Sequence, residues 1–399
     1  MAHGDAHLFT GGRVADAAGT RRADVAVVDG EIVAAGDPDA AADAVADVPD
    51  EDLERVDASG RVVAPGLIDA HVHVMMDGRP DVATAVSDSD YTASYRTASN
   101  LEAAVSAGVT TVRDLGSRGT LALDADEAVA AGDVPGPRVL ACGRNVIMTG
   151  GHGNWFGREA DGPAEVRKAA REQLKAGADV LKCMATGGVL TEGAVTGAPE
   201  LTPEELAAFT DAAAPTDTPT AAHAHGEEGI KNAVEAGISS IEHGTFMDRE
   251  AAEMMAERGT YWVPTASALR GIVENGVEAG IPEDAVAKAE DAADRFEDAW
   301  DHALEAGVPI AMGTDAGTPF NFFAEIPHEL AHMVEHGLSP ERALEAATVN
   351  AADLLGLDDV GRVEEGYVAD LVVLDADPND DVAAWQGPEA VFARGERVA

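Results

Sequence analysis

Apolar residues recur along this chain in two rhythms. Up to residue 62 they alternate with polar residues over short runs, HLFTGGRVAD, ADVAVVDG and EIVAAG, each punctuated by Gly or Asp. That is the pattern of strands joined by hairpin turns. An acidic, alanine-rich stretch, DPDAAADAVADVPDED (37–52), interrupts them and reads as a solvated loop. From residue 63 short apolar runs alternate with helical patterns. There are eight: VVAPGLIDAHVH, VTTVRDLG, PRVLACG, ADVLKCMATGG, PTAAHAHG, SSIEHG, TYWVPTAS and PIAMGTDAG. Ala-Gly pairs at 107–108, 176–177, 236–237 and 306–307 precede the next apolar run. Glycine in that place closes a helix and opens an αβ junction.

Eight βα repeats predict an α/β fold, a (β/α)8 barrel over residues 63–358. An open doubly wound sheet is the alternative, but no G-x-G-x-x-G opens a helix after the first strand. Over 359–399 the chain returns to strand patterns, GRVEEGYVADLVVLDADP and AVFARGERVA. A barrel with eight strands has no place for them. Residues 1–62 and 359–399 are therefore expected to join in one small β-sandwich domain formed by both chain ends.

Composition narrows the class. A 46% apolar fraction supports a sizeable core. No apolar run approaches the roughly 20 residues of a membrane span. The N-terminal MAHGDAHLFTGG has no basic region followed by an apolar one, so no secretory leader is expected. Two cysteines, Cys142 and Cys183, make no disulfide framework and fit a reducing cytoplasm. There are 73 acidic and 27 basic residues, a net charge of −46. Such a surface repels nucleic acid and anionic membranes, so neither is expected as a partner. The apolar content is too high for an acidic disordered chain. An acidic surface suits high salt, where screening suppresses self-repulsion, and a halophilic habitat is the expectation.

The candidate chemistry lies at the ends of the predicted barrel strands, which converge on one mouth. His71 and His73 end the first strand, His152 follows the third in TGGHG, Lys182 ends the fourth, His223 and His225 the fifth, His243 the sixth, and Asp315 the eighth. Residues i and i+2 share a strand face, so His71 and His73 offer two imidazoles on one side, half of a zinc site. Lys182 is one of only five lysines and sits inside an apolar run. Cys183 alternates to the opposite face and reads as core.

PGLIDAHVH, VTTVRDLG, the strand-four lysine, AHAHG, SIEHG and GTDAG, in that order, resemble the metal-dependent amidohydrolase superfamily, as does the closing ALEAATVNAADLLGLDDVGRVEEGYVADLVVLD. The resemblance covers essentially the whole chain and implies a distorted TIM barrel with a metal centre at its mouth. It implies that His71, His73 and Asp315 bind one metal, His223 and His243 a second, and that Lys182, carboxylated by CO2, bridges them as a carbamate. A free ammonium between two cations is electrostatically untenable, whereas a carbamate offers one oxygen to each. Two divalent ions are implied; His-rich ligation favours zinc, with manganese and cobalt as alternatives.

ATGGV after the lysine, with AHAHG and SIEHGTF, looks most like the Xaa-Pro dipeptidase (prolidase) branch. Hydrolysis of an amide or peptide bond in a small molecule, a dipeptide or N-acyl amino acid, is the implied activity. Asp315 would take a proton from the attacking hydroxide and pass it to the leaving nitrogen; His152 and His225 would contact the substrate. Two departures bear on proline specificity: His225 stands where the branch often has Tyr, and VLTEGAVTGAPELTPEEL replaces its usual Ser- and Pro-rich loop. Mononuclear deaminases and imidazolonepropionase share the His and Asp pattern without the bridging lysine, and organophosphate or lactone hydrolysis suits related sites. Oligomeric state stays open, a homo-oligomer included.

Two further motifs carry charged or ligating residues. His328, Glu329 and His332 in HELAH match the H-E-x-x-H signature of zinc proteases. Gly337 and Pro340 end that helix and no downstream ligand follows at metzincin spacing, so a solvated helix face is expected. Arg113 and Asp114 in VRDLG are expected to pair with each other in a structural role.

Overall fold

The computed structural model describes residues 6–399. Residues 1–5, the start of the segment assigned to the small β unit and read for a leader, lie outside the described residues. The barrel strands are parallel and fall into two hydrogen-bonded groups. Leu67–Val72, Val109–Asp114 and Arg138–Ala141 form one; Leu181–Met184, Thr220–Gly226, Ser240–Phe246 and Tyr261–Val263 form most of the other. Two-residue strands, Val146–Ile147 and Arg158–Glu159, extend the second group beside Leu181–Met184.

The eighth run does not form a regular strand. Residues 310–316 bridge the seventh and first strands through Trp262–Ile310 and Val72–Ala316 pairs, with Asp315 N donating to His71 O at 2.7 Å. Asp315 has φ 61°, outside the extended range a ladder needs. The barrel is therefore distorted at the point where the ring closes.

Helices cover the barrel with one apolar stripe each. Pro163–Ala176 buries Val166, Ala169, Ala170 and Gln173, spaced three and four apart, and leaves its charged residues outside. Burying a valine contributes about 1.5–3 kcal/mol. Proline opens this helix and Gly177, φ 103°, closes it; Gly307, φ 74°, closes Glu283–Ala306 the same way. Only glycine adopts that conformation without a steric cost. Among the described residues no helix is long and apolar enough to cross a membrane.

The chain ends form two small sheets. One has the order Glu31–Gly36, Asp24–Val28, Ala6–Thr10, Leu53–Asp57; the other Glu396–Arg397, Ala390–Ala393, Leu371–Leu374, Val62–Pro65, Arg13–Asp16, Gly19–Arg22. Phe9, Val25 and Ile32 from the first meet Val63, Leu371 and Phe392 from the second in one core. Val62–Pro65 spans the boundary drawn at 62/63. Residues 37–52 are not simply a loop: Pro38–Ala44 is a helix, with Asp37 accepting from the Asp39 and Ala40 N–H groups. Its Ala41 packs with Leu8, Ala26 and Val45. An Asp-Pro start before alanines is a helix signal that the charge of the segment obscured.

Candidate metal centre

The fold gathers His71, His73, His152, Lys182, His223, His225, His243 and Asp315 around one pocket, and all eight are buried. Five imidazoles are tethered through Nδ1. His71 meets Glu242 Oε2 at 2.8 Å, His73 meets Gly116 O at 2.9 Å, and His152, His225 and His243 meet the hydroxyls of Thr191, Thr245 and Thr265 at 2.8, 2.7 and 2.7 Å. A ring held by one nitrogen presents the other to a ligand or metal.

The remaining nitrogens converge. Nε2 of His73 and of His71 stand 3.3 and 3.4 Å from Asp315 Oδ1, in a geometry that leaves this oxygen without a hydrogen bond. His71, His243 and Asp315 bring ligand atoms within 4.8 Å of one another, and so do His223, His225 and His243. His243 belongs to both groups. His225, read from the sequence as a substrate contact, joins the second.

Burial, above all, pushes the pKa of His71 and His225 down to about 4, of His152 to about 3, and of His223 and His243 well below the ordinary value. They are neutral imidazoles, the form that ligates metals. For His73 burial works the same way, but Asp315 outweighs it and the pKa rises. For Asp315 burial favours the acid, yet His71 and His73 hold it ionised.

Within this pocket two buried polar atoms, Asp315 Oδ1 and His223 Nε2, have no hydrogen-bond partner. Each such atom costs about 1–3 kcal/mol. A divalent metal would satisfy them, and the N/O donor set suits one. Lys182 adds a third anomaly. It is buried, and among the described residues its Nζ makes no hydrogen bond or ion pair. Burial first, then Arg113, lowers its pKa against the pull of Glu242 and Asp315.

Backbone conformation aims these groups. His243, Thr265 and Asp315 have φ of 68°, 55° and 61°, conformations that cost about 1–3 kcal/mol each and need support. At His243 the turn breaks strand alternation, so Glu242 and His243 both face inward. Trp262 Nε1 donates to His243 O at 2.8 Å. Asp69 supports the Asp315 turn by accepting from His71 N, Thr314 N and Thr314 Oγ1 at 3.0, 3.1 and 2.6 Å. Burial raises its pKa to about 7.

Arg113 does not pair with Asp114. Successive strand residues face opposite ways. Arg113 reaches Glu242 Oε1 at 3.1 Å, Ser240 Oγ at 3.2 Å and Ala70 O at 2.5 Å, while Asp114 accepts from Val74 N and Gly116 N. Glu242 and Asp69 escaped the sequence reading. An acid inside an apolar strand was the available signal for both.

HELAH builds no zinc-protease site. Among the described residues neither His328 nor His332 belongs to a convergent ligand group, and His332 lies 3.8 Å from Glu335. Nor is the helix face wholly solvated, because Glu329 is fully buried.

The same pocket has an apolar lining, from Met76, Val82, Trp155, Phe156, Val189, Leu190, Leu269 and Ile272. His152 is clamped at its edge: Glu200 accepts from its N–H at 2.9 and 3.0 Å. Gly188 makes room for the ring, since a Cβ there would lie 2.5 Å from His152 Nε2. Cys142 and Cys183 are free and buried.

The chain belongs to the amidohydrolase family, whose pattern it matches over residues 62–398. It is a hydrolase acting on amide C–N bonds in small molecules, of a family that is generally metal-dependent. Ochratoxinase of Aspergillus niger is 32% identical over 380 residues, 87% of this chain and 77% of that protein. A Xaa-Pro dipeptidase structure with methionine bound in its active site is 31% identical, with a TM-score of 0.90 over 98% of this chain and 99% of that one. A prolidase complexed with N-methylphosphonate-L-proline is 30% identical, with the same TM-score and coverage.

Proposed function

We propose that this chain is a binuclear hydrolase that cleaves the amide bond of a dipeptide or N-acyl amino acid carrying an apolar side group. The observation that carries this reading is Lys182. It is buried, without a hydrogen bond or ion pair among the described residues, and acts electrostatically on His71, His223, His243 and Asp315 together. An ammonium is a poor occupant of that position. The neutral amine would add to CO2 with loss of a proton, and the resulting carbamate would make Lys182 an anionic oxygen ligand for the metal.

His71, His73 and Asp315 would hold one ion, and His223 and His243 the other, with zinc favoured over manganese or cobalt. Divalent metal at such a site supplies Lewis acidity toward a carbonyl and a water of lowered pKa. Asp315, ionised and within reach of both imidazoles of the first strand, accepts the proton of the attacking water and delivers it to the leaving nitrogen. His152 and His225, neutral and tethered at Nδ1, direct Nε2 at the substrate's carbonyl or carboxylate. The apolar wall takes the side group. Methionine in the similar dipeptidase and the apolar ring of proline in the similar prolidase support that assignment.

The test is a screen of the metal-loaded protein in high salt against dipeptides and N-acyl amino acids graded by side group. Turnover should favour large apolar groups, and Asp315→Asn should abolish it. Activity confined to lactones or phosphotriesters, or near-normal turnover by Asp315→Asn, would overturn the reading.

A further inference from the structure

The helix Ala266–Asn275 begins without a cap of its own. Thr265 occupies the N-cap position, where a threonine hydroxyl ordinarily accepts from the first backbone N–H groups. Here it makes no such bond. Its Oγ1 lies 2.7 Å from His243 Nδ1 instead. The acceptors come from 63 residues further along the chain. Glu329 Oε1 accepts from Ala266 N at 2.7 Å, and Oε2 accepts from Ser267 N at 2.8 Å and Ser267 Oγ at 2.5 Å. A carboxylate at a helix N-terminus is favoured by the helix dipole, and these donors stabilise the anion against burial, which raises the Glu329 pKa to about 7.

Thr265 needs that support. It holds φ 55°, ψ 50°, a left-handed conformation that a β-branched residue adopts only under constraint. The bonds to Glu329 begin at the very next residue. They free the threonine hydroxyl from capping and pin the backbone that carries it. Across the hydroxyl stands the one imidazole common to both ligand groups.

We propose that Glu329 is a positioning residue of the metal centre: by capping Ala266–Asn275 from another helix it fixes Thr265, and through Thr265 Oγ1 the orientation of His243. This gives the HELAH segment a role in the site without making it a metal ligand. The inference rests on His243 being a ligand, as proposed above.

Cobalt(II) titration of the chelator-stripped protein tests it, read by visible absorption and by bound cobalt per chain. Glu329→Ala and Thr265→Val should each weaken cobalt binding by about tenfold or more and shift the absorption band, as loss of an outer partner does. Glu329→Gln, which keeps one acceptor oxygen and the volume, should recover most of the affinity. The double variant should bind no more weakly than Thr265→Val alone, because both changes act through His243. Circular dichroism establishes that each variant is folded; should Glu329→Ala not fold, Glu329→Gln and its double with Thr265→Val carry the same comparison. Wild-type affinity and spectrum in the folded Glu329 variants would overturn the proposal, as would additive losses in the double variant. His243→Ala separates the two levels. If it binds cobalt like the wild type, the ligand assignment fails; if it loses cobalt while the Glu329 variants do not, only the positioning role fails.

Discussion

The carboxylate of Glu242 lies 2.8 Å from Nδ1 of His71, with both side chains buried. Its other oxygen meets Arg113 at 3.1 Å. One acid thus orients a candidate ligand and neutralises the guanidinium beneath it. Burial alone would keep it protonated, but Arg113, His71 and Lys182 bring its pKa down to about 2.

Glu242→Ala removes both partners at once. An uncompensated buried guanidinium should destabilise the fold by about 3–5 kcal/mol. Loss of the histidine's outer partner should weaken metal binding roughly 10- to 100-fold. Urea unfolding and metal analysis on one preparation read both. A variant with the wild-type midpoint and metal content would show that Glu242 does neither.

In the metal-free protein the buried histidines should oppose folding on mild acidification, against the opposite contributions of Asp69 and Glu329, whose pKa values burial raises to about 7. His71 and His225 titrate near 4 and His152 near 3 in the folded chain, chiefly through burial, against roughly 6.5 when unfolded. Between those values these histidines bind more protons in the unfolded chain, so their contribution to stability falls as pH falls, by about 1.4 kcal/mol per pH unit for each. The contribution is fully present above roughly 6.5. Melting of chelator-treated protein at fixed salt from pH 7 to 5 measures the slope, and His152→Ala should flatten it. An unchanged slope in that variant would contradict the assignment.

Gly188→Ala should impair turnover without touching metal content. The added Cβ forces the His152 ring aside, and a misplacement of about 1 Å in a positioning group costs on the order of 100-fold in rate. Thr191→Val, which cuts the ring's tether, should act in the same direction. The readouts are kcat/KM and metal per chain. Normal kcat/KM in both variants would remove His152 from the substrate site.

With a net charge of −46, self-repulsion is strongest where screening is weakest. Raising KCl from about 0.1 M to 1 M shortens the screening length from about 10 Å to 3 Å, and the melting temperature should rise steeply. Equal stability in dilute buffer and molar KCl would end the halophilic reading.

The groups legible in the sequence were those whose placement follows from strand alternation. His71 and His73, or His223 and His225, need only a period of two and a shared barrel mouth to meet. Glu242 was hidden because its neighbour His243 adopts φ 68°; alternation alone puts only one of them inside. The same left-handed turn at Asp315 removed an expected strand. Glu329 was invisible for another reason. Its partners, Ala266 and Ser267, are backbone groups far away in sequence, and no residue type announces a cap supplied by another helix. The helix Pro38–Ala44 was missed where acidity outweighed an Asp-Pro start.

The central strand of the larger end sheet has a history as well as a place. Val62–Pro65 pairs on one side with Arg13–Asp16 and on the other with Leu371–Leu374. Its second partner leaves the ribosome about 300 residues later, roughly 15–60 s at ordinary rates of synthesis. Throughout that interval an apolar strand stands as an open edge, the kind that recruits strands from other chains. The nascent protein must build its barrel with this seam unsealed, and Leu371–Leu374 is the segment that closes it.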